Sequence, residues 1–117
     1  MNKEIVYREA IESCFGFSID GIWDFLTEKF KKKSYDERKT IFIFILKKAM
    51  NSGILKLANN GKFLDGTVDQ QLFDFEKSFP KNENDISDIT LSISSNYEFW
   101  APGGGVWIDD NGEEIWT

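Results

Sequence analysis

The 117-residue chain contains no histidine, a single cysteine, two prolines and no apolar run long enough to span a bilayer. Without histidine, Ser-His-Asp and Cys-His nucleophilic catalysis, the common zinc sites and the usual switch near neutral pH are excluded. Cys14 has no second thiol for an internal disulfide or a thiolate cluster, which fits a reducing compartment. A membrane-spanning helix needs roughly 18 to 20 apolar residues, and the opening MNKEIVYREAIES is charged and amphipathic, with no signal-peptide core. A cytoplasmic protein without membrane association is expected. Aromatic residues, by contrast, are plentiful: 11 Phe, 4 Trp and 3 Tyr in a composition that is 41% hydrophobic. That supply of apolar surface suits one folded domain over residues 1–117 rather than a disordered segment.

Net charge is −6, and it is unevenly placed. Residues 1–64 hold twelve Lys/Arg against eight acids, a net +4, whereas residues 65–117 hold Lys77 and Lys81 against twelve acids, a net −10. Such a lopsided field suits a basic partner better than a nucleic acid or an anionic membrane.

Ile5/Val6, Ala10/Ile11 and Cys14/Phe15 recur at helical spacing, which predicts a helix over residues 3–15 ending at Gly16, with Cys14 as a buried structural thiol. A second helix, capped by Ser18 or Asp20, places Ile22, Trp23, Leu26 and Phe30 on one face. Ser34-Tyr35-Asp36-Glu37 has the form of a capping box and opens a long, buried third helix running to Ser52, with Gly53 beyond its end. Residues 54–64 read as a β-hairpin turning at Asn59-Asn60-Gly61. Thr67-Val68-Asp69-Gln70 starts a fourth helix with Val68, Leu72, Phe75 and Phe79 in one stripe, stopped at Pro80. Residues 81–96 read as a loop leading into an irregular strand through Ile89, Leu91 and Ile93. The last segment reads as a second hairpin closing on Asn111-Gly112, which sets Ile108 opposite Ile115 and Trp107 opposite Trp116. The expected fold class is α+β, with helices in the N-terminal two thirds packed on a small antiparallel sheet that ends in the C-terminal hairpin.

Carboxylates are the available acid/base groups, and Asp109, Asp110, Glu113 and Glu114 crowd around one turn. They lack the spacing of an EF-hand loop, and on a two-stranded turn they face water. Like charges opposite one another across strands cost stability unless a partner neutralises them. Pro102-Gly103-Gly104-Gly105 lacks the lysine and the spacing of a phosphate-binding loop and precedes a strand; its glycines read as a bend or a flexible gap. Tyr97, Phe99, Trp100, Trp107 and Trp116 concentrate aromatics near the acids, and an exposed Trp beside charge is a frequent binding anchor.

The run from Gly53 through Asn59-Asn60-Gly61 to Gln71, then Phe75 and Phe79-Pro80-Lys81, and finally Ala101-Pro102-Gly103-Gly104-Gly105-Val106-Trp107 through Gly112 to Trp116-Thr117, resembles a bacterial family catalogued as domain of unknown function 596. The resemblance covers residues 35–117 and carries no functional residues to transfer. Proteins of this kind resemble immunity proteins of contact-dependent inhibition and related polymorphic toxin systems, which block a toxin domain delivered by a neighbouring cell. The resemblance thus implies a cytoplasmic inhibitor whose partner is a cognate toxin C-terminal domain with a basic surface, such as a nuclease. An acidic patch can occupy a surface built for a polyanion, and no catalysis is required. The expected contact residues are Asp109, Asp110, Glu113 and Glu114 for charge, with Trp107 or Trp116 as anchor. No catalytic residue, cofactor or metal is assigned, and no enzymatic activity is expected.

Two other readings compete. The first three helices and the hairpin can be drawn as a winged helix whose Lys47, Lys48 and Lys56 meet phosphates, although the −10 half would repel nucleic acid. A metal-assisted enzyme on the turn carboxylates is the third.

Overall fold

The computed structural model describes residues 2–86 and 100–117. Among these residues four helices and four strands follow in the order α1 (Lys3–Cys14), α2 (Asp20–Lys29), α3 (Tyr35–Asn51), β1 (Leu55–Asn59), β2 (Lys62–Phe63), α4 (Val68–Ser78), β3 (Gly104–Ile108) and β4 (Glu114–Trp116), with a 3-10 turn at Glu83–Asp85. The fold is α+β. Ile89, Leu91 and Ile93, on which the irregular strand was to rest, lie outside the described residues, as do Tyr97 and Phe99.

Local chemistry explains most boundaries. Both capping boxes form: Ser34 Oγ accepts from the Glu37 amide at 3.1 Å while Glu37 Oε1 accepts from the Ser34 amide at 3.3 Å. Thr67 and Gln70 make the same reciprocal pair at 3.1 and 2.8 Å. Each satisfies two amides that a helix start otherwise leaves open. We expect Ser34→Ala and Thr67→Ala each to lower stability by about 1 kcal/mol, read as a lower urea midpoint at unchanged slope. The start of α2 departs from expectation. Ile19 holds the N-cap position with no side-chain cap, and the Ser18 and Ile19 carbonyls instead accept from the Gly21 and Ile22 amides, both at 3.0 Å. Burial of Ile19 fixes this entry where a polar cap was anticipated.

α3 is the central helix. Ile41, Phe42, Ile45, Leu46 and Ala49 are buried, and the helix packs on α1, α2, α4 and β1. An aromatic cluster fills the space between α2, α3 and α4: Trp23, Tyr35, Phe42, Phe75 and Phe79 meet edge-on or tilted, and Trp100 lies on Phe79 at 4.5 Å between ring centroids. Cys14 is buried on the α1 stripe, and that burial, reinforced by the Asp24 charge, pushes its thiol up.

Arg38 is the one buried charged side chain among the described residues. Its guanidinium holds the Glu83 carboxylate in a two-pronged pair, with Nη2 donating to Oε1 at 2.8 Å, and lies over the Trp23 ring. The hydrogen bond from Arg38 holds the Glu83 carboxyl below its ordinary range. A carboxyl lowered in the folded state contributes stability above its unfolded pKa, and that contribution is lost as pH falls through the folded value. Glu83→Gln is therefore expected to cost about 1–2 kcal/mol at neutral pH, discounted because solvent reaches Glu83. The variant's stability should also fall less steeply on acidification below about pH 4. Parallel acid titrations of the two proteins check this.

The sheet order is β2-β1-β3-β4, with all neighbours antiparallel. Leu55, Leu57, Trp107 and Ile115 face the helices; Lys56, Ala58, Phe63, Val106 and Trp116 face away. In the first hairpin Asn60 (φ 53°) and Gly61 (φ 77°) form the two-residue turn that the sequence signals.

Candidate functional site

The second hairpin closes differently from the expected register. Val106 pairs with Trp116, Trp107 with Ile115 and Ile108 with Glu114, one residue away from the pairing that a two-residue Asn111-Gly112 turn requires. The loop has three residues, Asp110, Asn111 and Gly112, with Gly112 in the left-handed region at φ 79°. Asp109 dictates this. Its Oδ1 accepts from the Asn111 and Glu113 amides, both at 2.9 Å, and its carbonyl accepts from the Gly112 amide at 2.9 Å. Asp at the first position and Gly at the fourth are the preferred ends of a type I turn, which a glycine bulge then joins to the strand. A slip of one residue reverses the faces of β4.

The six expected contact residues consequently separate into two groups. Trp107 is fully buried; its indole Nε1 donates to the Phe17 carbonyl at 2.7 Å and its ring packs on Phe15 at 5.0 Å. It belongs to the core and is no anchor, because the pairing of β3 with β1 sets it opposite the buried Leu55 on the helix side, while the slip in β4 turns Trp116 to the outer face. Asp109 is half-buried and spends its carboxylate on the turn. Asp110, Glu113 and Glu114 are exposed, and among the described residues none of them forms an ion pair. Trp116 is 46% exposed on the outer face, with its Nε1 donating to Glu114 Oε1 at 3.1 Å. Among the described residues no three carboxylate or thiol groups come together in a way that holds a metal ion.

Phe63 completes this surface, and the sequence reading missed it. It lies on β2, at the far edge of the sheet from Trp116, yet the two rings stack at 5.3 Å across the outer face. Beneath them Ala58 and Val106 are 7% and 1% exposed despite facing away from the helices. Lys56 Nζ lies 4.8 Å from the Phe63 ring centre. The signal was the period-2 alternation of Lys62-Phe63-Leu64, which places Phe63 opposite to the core-facing Leu64.

Beside Trp116 runs a cleft of about 520 Å³ between the Asn59–Gly61 turn, the Gly103–Gly105 segment, Ser18 and Asp20. The glycines there are not a flexible gap. A Cβ on Gly103 would meet the Ala58 carbonyl oxygen at 2.5 Å, and one on Gly105 would meet Cγ2 of the buried Ile19 side chain at 2.5 Å, so one glycine is required by a neighbouring backbone and another by a packed side chain.

The lysines assigned to a winged helix are occupied. Lys47 pairs with Asp69 at 3.1 Å, Lys48 pairs with Glu4, and Lys56 covers Phe63. α3 packs on three helices and a strand, and its exposed stripe of Asp36, Thr40, Lys47 and Asn51 offers phosphates one lysine, which pairs with Asp69. No helix among the described residues is long and apolar enough to cross a membrane.

The model of a family described as protein of unknown function, DUF596, matches residues 50–117. The chain belongs to that family. The fold is similar to that of an uncharacterised protein conserved in bacteria, from Neisseria meningitidis, with a TM-score of 0.77 and 22% identity over 97% of this chain and 88% of the other. No curated protein matches the chain.

Proposed function

We propose that this protein is a bacterial immunity protein that binds and neutralises a toxin domain with a basic surface, of the nuclease type, through the outer face of its C-terminal hairpin. The observation that supports this reading most is the juxtaposition of half-exposed Trp116 with Glu114, whose carboxylate accepts from its indole. Trp116 forms an aromatic shelf with Phe63, and the turn of the same hairpin exposes Asp110 and Glu113, neither of which forms an ion pair among the described residues. An aromatic centre supplies affinity once desolvated, while charges at the rim steer association and select the partner. Ordering costs are small, because Phe63 and Glu114 already hold the indole.

The test is co-expression with the toxin domain encoded beside this gene, read as growth of the host. Wild-type protein is expected to restore growth. Trp116→Ala, which removes a half-exposed ring from the outer face and leaves the helix-side core intact, is expected to weaken binding by about 2 kcal/mol or more and to protect poorly at low expression. Full protection by Trp116→Ala at matched levels would place the contact surface elsewhere.

A further inference from the structure

Gly104 poses a question that the fold does not answer. It is the first residue of β3, paired opposite Ala58 on the outer face. Its backbone is not in the left-handed region, and a Cβ built on it meets nothing within 4 Å. Glycine within a strand weakens the strand and marks close approach by a ligand or another backbone. Gly103 and Gly105 are closely approached within the fold; Gly104 opens instead into the cleft beside Trp116.

The cleft has a definite chemistry. Among the side chains that line it, Asp20 is the one that carries a charge, and among the described residues Asp20 forms no ion pair. Ala58 and Val106 give an apolar floor, and Trp116 forms a wall, braced by Phe63 and by its bond to Glu114. An apolar floor suits the methylenes of a long side chain, an indole face attracts a cation, and a carboxylate completes the match. Arginine fits better than lysine, since its planar guanidinium can lie on an indole and present a fork to a carboxylate at once.

We propose that this cleft receives an arginine side chain of the partner protein, with its guanidinium against Trp116 and paired with Asp20; that the arginine is the toxin's rests on the function proposed above. Gly104 leaves the space that the side chain fills.

The site can be tested without the toxin. The isotopically labelled protein is titrated with N-acetyl-arginine amide, and the amide of Gly104 and the indole N–H of Trp116 are followed by NMR. Saturable shifts at about millimolar concentration are expected, weakened about fivefold or more when the neutral isostere N-acetyl-citrulline amide replaces arginine. Gly104→Leu should abolish the shifts of the Trp116 indole while keeping the melting temperature, because the added side chain enters open space. Asp20→Asn, the second variant, should weaken binding without affecting the floor or the wall. Shifts that do not saturate, that match for arginine and citrulline, or that persist in both variants would overturn the assignment. A captured toxin bound equally well by Gly104→Leu would overturn the cleft and leave the proposed function standing. Arginine binding here, in a protein that protects against no toxin, would overturn the function and leave the cleft.

Discussion

Replacing Asp110, Glu113 and Glu114 together by lysine is expected to slow association with the toxin by about tenfold or more at low ionic strength, with the fold intact. Each reversal adds two charges, so the net charge moves from −6 to 0. The change falls on exposed side chains, and the hydrogen bond it removes, between Glu114 and the Trp116 indole, is itself exposed. Steering by surface charge acts on the encounter rate and is screened by salt, so the difference should close near 1 M salt, where the Debye length is about 3 Å. Stopped-flow association rates across a salt series measure it. Asp109 must be left out of the variant. It holds two amides of the turn, and its replacement would confuse a loss of fold with a loss of charge. An unchanged rate at low salt would remove the hairpin acids from the interface.

The second large effect concerns Trp107. Trp107→Ala is expected to cost about 3–5 kcal/mol of folding stability, a large share of the roughly 5–15 kcal/mol that a domain possesses. The indole fills the junction between β3, Phe15 and the segment ahead of α2, and its loss leaves the Phe17 carbonyl without a donor. Trp116→Ala should cost clearly less, about 1–2 kcal/mol, because its half-exposed ring stacks on Phe63 and covers Val106 on the outer face. Urea denaturation of the two variants makes the comparison. If Trp107→Ala folded as well as wild type but failed to bind, Trp107 would belong to the contact surface after all.

These two tryptophans also show where sequence reasoning reaches and where it stops. The helices were legible because their signals are local: two capping boxes, the left-handed glycines at Gly16 and Gly53, and the apolar stripe of α4 all act within a few residues. The first hairpin was legible for the same reason. The second carries the same Asn-Gly pair and turns differently, because the residue three before the glycine is Ala58 in one hairpin and Asp109 in the other. Alanine has no side-chain acceptor, so the two-residue turn prevails; aspartate captures two amides and draws the chain into a three-residue loop. That single carboxylate turns Trp116 to the surface, while the pairing of β3 with β1 keeps Trp107 in the core. Other features depend on contacts distant in sequence that no spacing rule encodes. The Phe63–Trp116 stack joins opposite sheet edges, and Arg38 finds Glu83 45 residues away. Ile19 replaces a polar cap at α2 because its burial beneath β3 outweighs one capping bond.

Binding of a basic toxin is tested most directly by purifying the tagged protein from its native host at moderate salt and identifying what accompanies it by mass spectrometry. Stoichiometric recovery of a basic toxin domain encoded beside this gene, lost with the lysine-substituted hairpin, is the expected result. Recovery of nucleic acid, or of the protein alone from cells that express the toxin, would contradict it.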